Sequence, residues 1–123
     1  MNISLEQFEK LVSEALDSLP DKFLHRLNNI AIFVKDSPTK EQLSKLERKN
    51  NYILFGLFEG YAQAKRLNFG PVLPDRITLF RKSILKNCSN LQECKTQIVK
   101  TVKHEIAHHF GLDEKGARRA GRN

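Results

Sequence analysis

The residues His104-Glu105-Ile106-Ala107-His108 are the stretch of this sequence best suited to chemistry. Two histidines four apart on a helix project the same way, so both imidazoles reach one tetrahedral metal ion, zinc above all. Glu105 follows the first histidine and sits at the edge of that face, where a carboxylate takes a proton from metal-bound water. The pattern continues beyond the second histidine. Gly111 lies three residues after His108, and Glu114 three after Gly111. A glycine at a helix end turns the chain sharply and lets a residue beyond it swing back. An acid at that place is itself a good zinc ligand.

These residues need a helix to hold them, and the spacing predicts one over residues 91–110, with Asn90 and Glu93 as its capping pair. At ~100° per residue, Cys94, Ile98, Val99, Val102, Ile106 and Phe110 form one apolar stripe. His104 and His108 fall on the opposite side, with Gln97 and Thr101 below them. His109 points to the apolar side and reads as a packed residue rather than a ligand.

Ahead of this helix, Leu5, Phe8, Leu11, Val12, Ala15, Leu16 and Leu19 recur at helical spacing. Ser4 and Gln7 form a capping box, Pro20 closes the run, and Phe23, Leu24 and Leu27 add one more turn. Residues 29–34, 52–58 and 77–80 read as strands. The polar stretch 39–51 reads as a solvated loop or short surface helix, and residues 60–74, with Gly70, Pro71 and Pro74, as mostly irregular. The order helix, strand, polar segment, strand, strand, helix favours an α+β fold over a doubly wound sheet.

With these residues together, the sequence resembles the minimal zincin-like metallopeptidases of bacteria, small single-domain proteins with H-E-x-x-H-x-x-G-x-x-D. The likeness runs through Leu19-Pro20, Leu57-Phe58-Glu59-Gly60, Leu73-Pro74-Asp75-Arg76-Ile77-Thr78-Leu79-Phe80-Arg81 and residues 101–114. It implies one domain over residues 1–123, with a small sheet packed against an N-terminal helix and the histidine-bearing helix. It also implies one zinc per chain held by His104, His108 and Glu114, with Glu105 as the catalytic acid/base. Glu114 stands where the family more often has Asp, and Asp113 is the alternative third ligand. The substrate would be a peptide or protein, lying extended along an exposed strand edge.

Composition narrows the rest. The 123 residues are 40% hydrophobic and 28% charged, which suits a globular domain and not a disordered one. No stretch approaches the roughly 18 apolar residues of a membrane helix. Residues 1–10 carry no basic-then-apolar signal, so a cytoplasmic location is expected. Cys88 and Cys94 make no disulfide framework and read as reduced structural residues. The net charge of +7 suits an acidic partner and says nothing about fold. Lys115, Arg118, Arg119 and Arg122 invite a nucleic-acid reading, but no binding motif or interleaved aromatic residue accompanies them. Glu59, Gly60 and Tyr61 are placed to rim a cleft; Tyr61 reads first as an ordinary half-buried tyrosine. Arg76 and Arg81 read as solvated charges at the ends of the third strand. Two rivals to a zinc peptidase remain: a non-catalytic peptide-binding or regulatory module on the same scaffold, and a basic nucleic-acid-associated protein.

Overall fold

The Ser4 hydroxyl accepts the Gln7 N–H at 3.1 Å, and the Ser4 N–H donates to Gln7 Oε1 at 2.9 Å, so the first helix starts at a reciprocal cap. The computed structural model describes residues 1–45, 54–60 and 75–111. Helix α1 (Leu5–Asp17) buries Phe8, Leu11, Val12 and Ala15, as its periodicity requires. Pro20 does more than close this helix. Its carbonyl accepts the N–H groups of Phe23 and Leu24, which starts a separate helix α2 (Asp21–Leu27). Phe23, Leu24 and Leu27 therefore belong to a new axis and not to another turn of α1. A proline at that place has a fixed φ and no N–H, so it fits the start of a helix and not its interior.

Strand β1 (Ile30–Lys35) follows, and then a short surface helix α3 (Lys40–Lys45), whose Thr39 and Gln42 cap each other as Ser4 and Gln7 do. Strand β2 spans Gly56–Glu59, shorter than the sequence pattern suggests. Leu54 and Phe55 precede its ladder, while Tyr52 and Ile53 lie outside the described residues. Strand β3 (Asp75–Phe80) runs between the other two, parallel to β1 and antiparallel to β2. Central position explains why Ile77, Thr78, Leu79 and Phe80 are all buried, whichever face they are on.

Helix α4 (Arg81–Lys86) comes directly after β3 and buries Ile84 and Leu85. Two buried positions are too few to set up a readable period, so the sequence does not announce it. Arg81 fixes its start by bonding Asp36 Oδ1 at 3.1 Å and the Ile3 carbonyl at 3.1 Å. Only 19% of its side chain is exposed, which corrects the expectation of a solvated charge. Helix α5 (Leu91–His109) completes the described chain. The Asn90 side chain caps it by accepting the Glu93 N–H at 2.9 Å, while Glu93 reaches the Ser89 N–H at 2.8 Å rather than that of Asn90. The α+β class and the packing of the sheet with α1 and α5 agree with the sequence reading; Phe8, Ile77, Leu79, Cys94, Ile98, Val102 and Ile106 share the core. No helix of the described residues is long and apolar enough to cross a membrane.

Candidate active site

Helix α5 presents His104, Glu105 and His108 on its second half. The two imidazole rings lie nearly parallel, with centroids 6.0 Å apart and 13° between planes, as side chains one helical turn apart should. Both residues are exposed, His104 with 47% of its side chain accessible. Glu105 is half-buried beside them, its Oε2 3.9 Å from His104 Nε2.

The other carboxylate oxygen of Glu105 is held by the sheet. The Phe80 N–H donates to the Phe55 carbonyl, which fixes the alternation of bonded and non-bonded pairs along β2 and β3. By that alternation the Phe58 N–H faces away from β3. It donates instead to Glu105 Oε1 at 2.8 Å. An edge-strand donor and the carboxylate of the histidine motif thus satisfy one another, which points Glu105 along the helix flank.

This contact depends on a close approach of β2 to α5. A Cβ added at Gly56 would meet Thr101 Cγ2 at 2.6 Å and the Thr78 carbonyl at 3.1 Å. Thr101 is buried there, its hydroxyl donating to the Gln97 carbonyl at 2.8 Å and its methyl turned to the glycine. The sequence reading placed Thr101 on the face opposite the core; the structure corrects this. A threonine whose hydroxyl bonds its own helix is free to bury its methyl, so the buried arc extends to position 101. The histidines flank that arc instead of opposing it.

His109 takes no part in the histidine pair. Its ring stacks on Phe58 at 3.6 Å and 18°, and its Nε2 is 4.0 Å from Asp75 Oδ2. Gly60 makes room, since a Cβ there would come within 3.2 Å of His109 Cε1. The ring packs on Phe58 as helical phase suggests, but His109 is exposed, with 39% of its side chain accessible, and is not part of the core. Glu59 is engaged elsewhere: it accepts from Gln42 Nε2 at 3.1 Å and pairs with Arg76 Nε at 3.5 Å.

Gly111 follows α5 with φ of 71°, the left-handed turn expected of it. Glu114, Asp113, Tyr61 and the basic residues 115, 118, 119 and 122 lie outside the described residues. Among the described residues no three His, Cys, Asp or Glu side chains converge as a metal cage. The described donors are two exposed imidazoles on one helix face, followed by a left-handed glycine, and this donor chemistry fits zinc with a further ligand from beyond the turn. Cys88 and Cys94 are buried free thiols near the other end of the helix and have no place in it. Among the described residues the Phe58 backbone N–H is a contributor to the site that residue types do not reveal, and Gly56 is its trace in the sequence.

The sequence profile of the zincin-like metallopeptidases matches residues 27–121. No curated protein matches the chain. Among solved structures, a conserved hypothetical protein from Thermo thermophilus is similar, with a TM-score of 0.56 at 22% identity over 98% of this chain and 100% of that one. At that identity the likeness is one of fold.

Proposed function

The chain belongs to the zincin-like metallopeptidases, and on that footing we propose that it hydrolyses peptide bonds with zinc held by His104, His108 and Glu114. The observation that carries the proposal is Glu105, fixed by the Phe58 N–H at 2.8 Å beside two parallel imidazoles. Zinc, when bound, supplies positive charge that acidifies a water molecule and polarises the scissile carbonyl. Glu105 accepts the proton of the attacking water and passes it to the leaving amine. Its half-buried position, with one oxygen bonded to the strand, leaves the other oxygen for that exchange. Among the described residues β2 is an edge of the sheet, and an extended peptide lies alongside it, bonding the outward backbone groups other than the Phe58 N–H that Glu105 holds. The two free thiols suit a reducing compartment, and the proposal places the protein in the cytoplasm.

Elemental analysis together with digestion of a peptide library, on wild type and Glu105→Gln side by side, tests this. The expected result is about one zinc per chain in both proteins, with cleavage at least ~100-fold slower in the variant. Zinc without cleavage in the wild type would leave a peptide-binding scaffold in place of an enzyme. Zinc titration of Glu114→Ala and Asp113→Ala checks the third ligand. Glu114→Ala should weaken binding far more, and the reverse order would assign the role to Asp113.

A further inference from the structure

The formal charge of +7 is unevenly spread. Helix α1 carries Glu6, Glu9, Glu14 and Asp17 against Lys10 alone. Cations gather where α2 meets the second half of α5. Lys22 Nζ and Lys103 Nζ stand 5.2 Å and 5.6 Å from the centre of the same Phe23 ring. One turn along α2, the Arg26 guanidinium lies 4.9 Å over the ring of Phe110. Lys100, exposed one turn before Lys103, extends the group. Among the described residues no carboxylate pairs with Lys22, Arg26 or Lys103. The aromatic rings hold these charges in place, and attraction to a ring face offsets only part of the repulsion between like charges.

The position of this row is set by the turn of α5. At ~100° per residue, Thr101 and Glu105 point to β2, while Lys103 and Phe110 point to α2. His104 and His108 are exposed between the two flanks, with exposed Lys100 and buried Ala107 on the side toward α2. A chain bound across the histidines therefore has an edge strand on one side and unpaired cations on the other.

We propose that Lys22, Arg26 and Lys103 form a docking surface for an acidic segment of the peptide substrate. The proposal rests on the peptidase reading above and adds the substrate's charge to it. Lys22 and Arg26 are one helical turn apart, roughly 6 Å, close to the roughly 7 Å between alternate side chains of an extended peptide. Acidic residues at alternate positions then meet both. A nucleic acid is disfavoured because Phe23 is buried beneath the two lysines and offers no free face for a base to stack on.

The test is fluorescence anisotropy on the full chain, with and without zinc. The probes are a labelled peptide of alternating Glu and Ser, its counterpart with Gln for Glu, and labelled oligothymidylate. The Glu peptide should bind about tenfold tighter than the Gln peptide at low salt, the size expected of three weak exposed ion pairs. That margin should shrink as salt shortens the screening length. Lys22→Gln/Arg26→Gln/Lys103→Gln should abolish it. The matching set of methionine substitutions keeps an apolar stem on each ring, so a loss in both variants reports charge and not unfolding. Equal binding of the two peptides, or a margin that survives in both triple variants, overturns the proposal. Tighter binding of the oligonucleotide through these residues replaces it with a nucleic-acid surface. The peptidase reading fails separately: charge-dependent binding without any cleavage would sink it alone, and cleavage without acidic preference would sink the docking surface alone.

Discussion

The first half of α5, residues 91–99, and its second half, residues 100–109, share one helical geometry and meet different surroundings. In the first half Cys94 and Ile98 are fully buried in a core shared with Phe8 of α1 and Ile84 of α4. In the second half the buried arc continues through Val102 and Ile106, but the flank beside it carries His104 and His108 into solvent. Folding uses one side of the helix along its length; the candidate chemistry uses the adjoining flank of one half. The two sets of residues scarcely overlap, so each should be removable without the other.

The largest effects test that separation directly. Ile98→Ala should destabilise the protein by about 2–5 kcal/mol, the usual cost of emptying a fully buried aliphatic site. The His104→Ala/His108→Ala double variant should instead leave Tm of the metal-free protein within a degree or two, since neither ring is buried. Its zinc affinity should fall more than ~100-fold, because even outer partners of a metal ligand contribute 10–100-fold. Thermal melts with calorimetric zinc titrations read both quantities. If the double variant unfolds, the histidine flank is part of the fold and the comparison breaks.

A smaller effect probes the seam where the two functions touch. Gly56→Ala puts a methyl 2.6 Å from Thr101 Cγ2, so β2 or α5 must shift. Overpacking of this kind costs about 1–3 kcal/mol. The same shift lengthens the bond from the Phe58 N–H to Glu105, so hydrogen exchange at the Phe58 amide should speed up. Thr101→Ser removes the obstructing methyl and should recover part of both losses in the double variant. Additive losses would mean that the close approach is not what fixes Glu105.

The same seam marks how far the sequence could be read. Helix α1 is legible because its cap, Ser4 with Gln7, and its buried stripe are local features. The histidine spacing and Gly111 are legible for the same reason: each depends on residues within two turns of one helix. The burial of Thr101 is not local, since it needs a glycine from a distant strand to bring a backbone close. Nor is the Phe58 N–H legible, because a backbone donor has no residue type and its direction follows from the register with β3. Helix α4 and the separation of α2 from α1 are not legible for want of length: six and seven residues hold too few apolar positions to show a period. The basic row on α2 and α5 joins Lys22, Arg26 and Lys103, residues that only the packing of Phe23 and Phe110 brings together.

The smallest expected effect concerns the thiols that anchor the first half of α5. Burial pushes the Cys94 thiol up to about 11, helped by the neighbouring Cys88 thiol, whose charge would oppose a second thiolate. Burial likewise raises Cys88. The thiolate is the nucleophile in alkylation, so neither cysteine should react with iodoacetamide in the native protein at neutral pH. Mass spectrometry should show both modified together once the protein is unfolded. The same shifts give stability a definite pH dependence. A thiol whose folded pKa lies above its unfolded value contributes fully below about 9 and loses that contribution as pH rises toward about 11. Tm should therefore drop between these limits, and drop less in Cys94→Ala. Prompt alkylation of Cys94 in the native protein would show that this half of the helix exposes its buried side to solvent, and the contrast between the two halves would be lost.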